Sequence, residues 1–425
     1  MISIIVAIIV FSILILVHEF GHFIVARMNG VFVEEFAIGM GPKLISKKMG
    51  ETIYSIRILP LGGFCKMTGE EENSDDPRAF CKKSVGQRMA IVVAGALMNF
   101  IYAIVAIIIA VSLMNNVTLP IVDTISPNSP AEIAGLMKGD KILYINDTKV
   151  GIMEDILFET ALLNTPEKKV NLIIERNGEK KNITTSLNAG IIISAIPQEL
   201  EGKINLKVGD FVVNIAGKDV YYIKDIEKEL MNKNKVNVQV LRNDKIETLI
   251  DENTKTLVIN QTRIKRVMGF SPLEQKLDFM ESFDYSVKKF GYFIRTTWVS
   301  LSKLVTGQVS FKLVSGPIGI VKYLGDTYDK SVNASEVFMD QVVNVSVNLL
   351  MFSALLSANL GVINLMPFPA LDGGRLVFMF VELIRGKPVD VEKENWVHVL
   401  GLALLMILMV FVFYNDIMKL VNGIV

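Results

Sequence analysis

The sequence predicts a polytopic α-helical membrane protein with four transmembrane helices, a β-loop at the membrane boundary and two copies of a small α+β module. Three observations predict it. Hydrophobic residues make up 51% of the 425 and charged residues 21%, and mean hydropathy is +0.42, so an apolar and a soluble population are averaged together. Four apolar stretches each approach the roughly 20 residues that a 30 Å hydrocarbon core demands. Between the second and third lies a long polar segment that repeats itself.

Residues 1–28 form the first span. Ile2 to Ala26 lacks the basic n-region and A-x-A site of a cleaved signal, so a retained helix is expected. Residues 29–88 are a loop in which "TIYSIRILPLGGFCKM" (Thr52–Met67) reads as strand, turn, strand. A short sheet there would either offer an open edge to an extended peptide or be an ordinary hairpin. Residues 89–114 form the second span.

The repeat follows, as residues 120–188 and 189–265. "KGDKILYINDTKV" (Lys138–Val150) matches "VGDFVVNIAGKDV" (Val208–Val220), and "VNLIIERNG" (Val170–Gly178) matches "VNVQVLRND" (Val236–Asp244). Each copy reads as strand, short helix, Gly-Asp turn, two strands, a helix (152–162 and 222–231) and two more strands. Residues 270–340 hold "FGYFIRTTWVSLSKLV" (Phe290–Val305), interrupted by Arg295 and Lys303, which reads as an interfacial amphipathic helix and not a fifth span.

The third span, 341–366, carries Asn344, Asn348, Ser353, Ser357, Asn359 and Asn364. So many polar groups place it in the bundle interior. Residues 367–396 form a loop and 397–421 the fourth span, at whose start the solitary His398 reads as interfacial.

No Lys or Arg precedes Arg27, whereas the first loop carries Arg27, Lys43, Lys47, Lys48, Arg57, Lys66, Arg78, Lys82, Lys83 and Arg88. The positive-inside rule puts that loop and 367–396 in the cytoplasm, and the N-terminus, the duplicated modules and the C-terminus outside. Basic and acidic residues balance at 44 each, so nothing suggests nucleic acid as a partner. Cys65 and Cys81 are the only cysteines and offer no disulfide framework.

The chemistry concentrates in "LILVHEFGHFIVA" (Leu14–Ala26). His18-Glu19-Phe20-Gly21-His22 is H-E-x-x-H. On a helix, residues i and i+4 share a face, so both imidazoles can reach one zinc ion while Glu19 takes a proton from water. The alternative is a histidine pair that only hydrogen-bonds across the bundle. Catalytic zinc needs a third protein ligand. Asp372, in "NLMPFPALDGG" (Asn364–Gly374), is the candidate, although spacing alone also allows a helix cap.

H-E-x-x-H in a first span, with N-x-x-P-x-P-x-L-D-G-G ending the third, resembles the site-2 protease family of intramembrane zinc metalloproteases, bacterial RseP type. "LPLGGFCKM" (Leu59–Met67) is similar to that family's membrane-reentrant β-loop, and "VAGALMNF" (Val93–Phe100) to its second-span motif with Gly95 and Asn99. The duplicated module resembles its tandem PDZ domains. "LVSGPIGI" (Leu313–Ile320) is similar to the segment before its third span.

The resemblance implies that His18, His22 and Asp372 hold Zn2+ and that Glu19 activates water. It implies that Asn364, and more weakly Asn359, hold the substrate carbonyl or oxyanion, and that Gly62, Gly63 and Phe64 clamp unwound substrate on an edge strand. The implied setting is the bacterial cytoplasmic membrane. The implied partners are single-span substrates, either anti-sigma factors or signal-peptide remnants, cut first by an upstream site-1-type protease. The residues alone also permit a PDZ-type scaffold with a structural metal, or a metal transporter. The lack of acidic residues in Met89–Met114 and Val397–Tyr414 counts against the transporter.

Overall fold

The computed structural model describes residues 2–70, 72, 74–126, 129–162, 169–193, 196–220, 230, 233–242, 245–260, 264–308 and 314–421. The chain divides into two units, Met1–Met114 with Asp278–Val425, and Asn115–Leu277.

In the first unit, helix α1 (Ile2–Met28) runs unbroken through the H-E-x-x-H motif. Strands β1 (Val33–Met49) and β2 (Thr52–Met67) follow. The strand–turn–strand expected within 52–67 is a single bent strand. Its first half pairs with Lys43–Met49, and Glu35–Ile38 of β1 pairs with both Ile53–Ile56 and Gly63–Lys66. The bend falls at Gly62, whose φ of +88° few other residues adopt. Gly63–Met67 therefore has β1 on one side only and forms an edge.

Helix α2 (Val85–Leu113) begins before the apolar stretch does. Ser84 and Gln87 form a capping box that satisfies its first amides. Phe23, Phe36, Cys65, Met67, Ile91, Leu376 and Met379 share one core, which ties the small sheet to both helices and to a later one.

The second unit holds two sheets. The first comprises β3 (Val117–Ile125), β4 (Lys141–Ile145), β5 (Thr148–Lys149), β6 (Lys169–Arg176), β7 (Glu179–Ser186) and, from much later in the chain, β14. The second comprises β8 (Asn188–Ile192), β9 (Phe211–Ile215), β10 (Lys218–Asp219), β11 (Lys235–Arg242), β12 (Lys245–Asn253) and β13 (Ile264–Val267). Short helices α3 (Pro130–Ile133) and α4 (Met153–Leu162) accompany the first sheet and α5 (Thr254–Asn260) the second. The second copy's helix expected at 222–231 lies almost wholly outside the described residues.

Strand β14 (Phe270–Gln275) pairs with β3. The second module is thus inserted into the first, and the sequence-based boundary that gave 270–275 to the following helical segment is corrected. "FSPLEQ" has no alternation to announce a strand. It is recruited because β3 would otherwise be left with an open edge.

The repeat is physical as well as textual. Asp140 and Asp210 are both buried. Asp140 accepts from the Met137 amide and from Arg176 Nε at 2.7 Å; Asp210 accepts from the Lys207 amide and from Arg242 Nε at 2.7 Å. β6 and β11 bury alternate residues, Val170, Leu172 and Ile174 in one and Val236, Val238 and Val240 in the other.

The chain returns to the first unit in α6 (Phe279–Val305), which starts at an Asp278–Glu281 capping box. It is long enough to span a bilayer, but Lys288, Lys289, Arg295 and Lys303 interrupt its apolar run. Helices α7 (Pro317–Asn333), α8 (Phe338–Asn364), α9 (Asp372–Arg385) and α10 (Val391–Val421) complete the unit. Among the described residues four helices, α1, α2, α8 and α10, are long and apolar enough to cross a membrane, and the chain is a multi-pass membrane protein.

Candidate metal centre

The site forms where α1, α2, α8 and the start of α9 meet. Two glycines permit the close approach of α1 and α2. A Cβ on Gly21 would lie 2.3 Å from the Ala94 carbonyl oxygen, and one on Gly95 would lie 2.4 Å from His22 Nε2. Gly95 therefore makes the room in which both imidazoles sit.

Asp372 arrives from the opposite end of the chain. Pro367 and Pro369 prevent α8 from continuing past Asn364. The loop then turns back tightly into α9. A Cβ on Gly373 would meet the Met366 carbonyl oxygen at 2.1 Å, and one on Gly374 the Phe368 carbonyl oxygen at 2.5 Å. Ala370 is held at φ 74°, and its amide donates to His398 Nδ1 at 3.0 Å. His398, expected to stand alone at the interface, instead fastens the loop that carries Asp372.

Asp372 is the first residue of α9 and not its cap. That position belongs to Leu371, which makes no side-chain capping bond. The Asp372 carboxylate reaches the histidines. Its Oδ2 lies 3.3 Å from His18 Nε2 and 3.4 Å from His22 Nε2, and the two Nε2 atoms lie 3.2 Å apart. Donors bound to one tetrahedral zinc at about 2.0–2.1 Å are separated by about 3.3 Å from each other. The three atoms match three corners of such a tetrahedron and leave the fourth free. Asp372 Oδ2 is buried with no hydrogen-bond partner, as a ligand atom awaiting a cation would be. The donor set of two imidazoles and one carboxylate is one that zinc accepts.

The surroundings orient these groups. His22 Nδ1 meets the Ile91 carbonyl oxygen at 2.9 Å, which leaves Nε2 for the centre. His18 Nδ1 faces the Asn99 carboxamide at 3.2 Å. Glu19 Oε2 accepts the Cys65 amide hydrogen at 3.0 Å, which ties its carboxylate to the edge strand. Burial, with Glu19 and Glu70 nearby, pushes the Cys65 thiol well above the usual range, so it stays protonated. Around α9, Arg375 pairs with Glu70, and Arg88 Nη2 lies 2.6 Å from Glu382 Oε1.

The remaining expected residues separate. Asn364 Nδ2 lies 3.4 Å from His18 Nδ1 and 3.5 Å from Nε2, inside the site. Asn359 does not share that place, because its Oδ1 accepts from Thr297 of α6. Five residues at about 100° each turn it well away from the face that Asn364 occupies, so one helix cannot bring both to the same carbonyl. Gly63 lies beside Glu19, with its Cβ position 3.7 Å from Glu19 Cγ. Gly62 supplies the bend, and Phe64 lies under the Arg57 guanidinium at 4.8 Å from ring centroid to Cζ. The Cys65 amide and the Ile91 carbonyl escaped the sequence because a backbone group carries no residue signal.

Residues 6–408 match the model of peptidase family M50. A protein named as a zinc metalloprotease in Clostridium acetobutylicum is 36% identical over 99% of this chain and 98% of its own length. Zinc metalloprotease RasP of Oceanobacillus iheyensis is 30% identical over 99% of this chain and 100% of its own length. The regulator of sigma-W protease RasP of Bacillus subtilis is 30% identical over 98% of this chain and 99% of its own length. The likeness runs almost end to end and takes in the helix of His18 and His22 as well as the loop of Asp372, and the chain belongs to peptidase family M50, the site-2 proteases.

Proposed function

We propose that this zinc metalloendopeptidase cuts peptide bonds within the transmembrane segments of single-span membrane proteins, with His18, His22 and Asp372 holding the ion. The observation that carries the reading is the mutual approach of His18 Nε2, His22 Nε2 and Asp372 Oδ2 to 3.2–3.4 Å, with Glu19 on the same helix. When bound, zinc supplies Lewis-acid polarisation of the scissile carbonyl and the attacking water.

The chain's own residues do the rest. Glu19 takes the proton from the attacking water and passes it to the departing amine. Its hydrogen bond from the Cys65 amide orients the carboxylate for that exchange. Asn364 donates from Nδ2 to the oxygen on which negative charge develops. A helical peptide bond is shielded by its own hydrogen bonds, so substrate must first unwind. The edge Gly62-Gly63-Phe64 offers an unwound segment replacement partners.

The two modules of residues 115–277 are PDZ-like. They act as a size filter that admits substrates already shortened outside by a site-1-type protease. By likeness to a relative named for sigma-W regulation, anti-sigma factors are the first substrate class to try, and signal-peptide remnants the second. The basic first loop supports a cytoplasmic placement of the small sheet in a bacterial cytoplasmic membrane, with N-terminus, modules and C-terminus outside.

Purified full-length protein in detergent, incubated with a single-span substrate, tests this. Cleavage should stop with a zinc chelator, return on adding zinc, and be lost in Glu19→Gln while that variant still binds zinc. Cleavage that survives both the chelator and Glu19→Gln would refute it. Equal rates on intact and pre-shortened substrates would remove the size filter alone.

A further inference from the structure

We propose that Asn99 is the positioning residue of His18: its side-chain oxygen takes the Nδ1 proton and so fixes the tautomer that turns Nε2 to the metal. The inference rests on the metal reading above and extends it to a residue that binds no metal itself.

Asn99 lies on α2 and is 0% exposed. Its side chain approaches His18 Nδ1 to 3.2 Å. Its position is pinned from behind, because Ser357 of α8 donates to the Asn99 main-chain oxygen at 2.8 Å. Asn99 Oδ1 is buried without a hydrogen-bond partner, and a native interior rarely tolerates such an orphan.

The donor–acceptor inventory decides which end of the Asn99 carboxamide faces the ring. His18 presents Nε2 to His22 Nε2 and Asp372 Oδ2, at 3.2 and 3.3 Å. For that nitrogen to offer a lone pair, the ring proton must sit on Nδ1, which is then a donor and needs an acceptor. An amide NH2 facing it is the wrong group, and the nearby Asn364 also presents Nδ2. The two ends of a carboxamide have the same shape. A half-turn of Asn99 brings Oδ1 to the Nδ1 proton, which gives the ring its tautomer, while Nδ2 takes the buried place that Oδ1 held. His22 solves the same problem with the Ile91 main-chain carbonyl. The two ligands are therefore oriented by unlike means, and only the means used for His18 can be altered by substitution.

The test is competition for zinc between full-length protein in detergent and a chromophoric chelator, using wild type, Asn99→Leu and Asn99→Asp. Loss of an orienting partner typically costs 10- to 100-fold in metal affinity. Asn99→Leu should show that loss, whereas Asn99→Asp, which keeps an acceptor oxygen, should stay within a few-fold of wild type. Equal affinity of Asn99→Leu and wild type, or equal weakness of both variants, would overturn the proposal. A wild type that binds no zinc would instead refute the metal reading beneath it.

Should Asn99→Leu fail to fold, wild type alone decides. The chain has three histidines, so nitrogen NMR of 15N-histidine-labelled, zinc-loaded protein can assign each ring. A proton on His18 Nδ1 with Nε2 ligating is expected, and the reverse would overturn the proposal.

Discussion

The Glu19 carboxylate accepts the amide hydrogen of Cys65 at 3.0 Å, so the proposed general base and the proposed substrate-binding edge are one mechanical unit. The Cys65 amide points away from β1, and a proline there removes the bond to Glu19 without removing one from the ladder. A hydrogen bond to a charged group contributes about 1.5–3 kcal/mol. Cys65→Pro should therefore lower kcat about 10- to 100-fold while leaving zinc content unchanged. Cys65→Ala keeps the amide and should retain activity. Zinc titration beside single-turnover cleavage would show whether the loss lies in the base or in the metal.

Gly95 is the second point of leverage. A Cβ there would lie 2.4 Å from His22 Nε2 and 2.7 Å from His18 Cε1. Both rings, or the helices that carry them, must then shift. Misplacement by about 1 Å can cost about 100-fold in rate, so Gly95→Ala should lose both activity and bound zinc. Metal analysis of the purified variant checks this, and full zinc occupancy with normal turnover would contradict it.

How far these relationships were legible follows from what each depends on. His18, Glu19 and His22 could be read because helical period alone puts the two imidazoles together. Asp372 could be read only as part of a motif, because its approach is made by the whole bundle and by the fold of 365–371. Asn359 and Asn364 were a weaker and a stronger candidate for one role in a polar helix, yet their angular separation gives one to Thr297 and the other to His18. The duplicated module showed in matching text. The return of β14 to β3 did not, because strand pairing at long range leaves no local pattern. His398 looked solitary because its partner is a main-chain amide in a distant loop.

Acid should loosen the small sheet through Glu35. Burial works to raise its pKa, but hydrogen bonds from Ser55 at 2.6 Å and Arg57 at 2.8 Å, with Lys43 at 3.0 Å, outweigh that and lower it from 4.5 to about 2. The folded state thus binds this proton less readily than the unfolded chain. The resulting stability is complete above about pH 4.5 and is lost as pH falls through the window down to about 2. Thermal unfolding in detergent from pH 6 to pH 2 should show the decline, and Glu35→Gln should flatten it in that window.

Arg88 and Glu382 hold α9 against the start of α2, at 2.6 Å with both side chains mostly buried. Removing one partner of a buried pair costs about 3–5 kcal/mol, because the other charge is left uncompensated. Arg88→Met should destabilise the membrane unit by an amount near the lower end of that range. Arg88→Met with Glu382→Leu should recover most of it. Denaturant titration in mixed micelles measures both, and a double variant no better than the single one would show that the pair contributes through something other than charge.

The matched pairs Asp140–Arg176 and Asp210–Arg242 make a prediction about the independence of the two modules. Both aspartates are buried, Asp140 at 0% and Asp210 at 2% exposure. Each takes two hydrogen bonds from its arginine, at 2.7 Å in the first module and at 2.7 and 2.6 Å in the second. Arg176→Leu strands a carboxylate in the first module, at a cost of about 3–5 kcal/mol. The two sheets have separate cores, one around Ile142, Leu172 and Ile174, the other around Val212, Val238 and Val240. The damage should therefore stay local. Hydrogen exchange should quicken in β6 but not in β11 for Arg176→Leu, and in β11 but not in β6 for Arg242→Leu. Strand β14 adds one exception: it belongs to the first sheet but follows the second module in the chain, so Arg176→Leu should also loosen residues 270–275. Quickening of β6 and β11 together in either variant would mean that the inserted module and its host unfold as one unit.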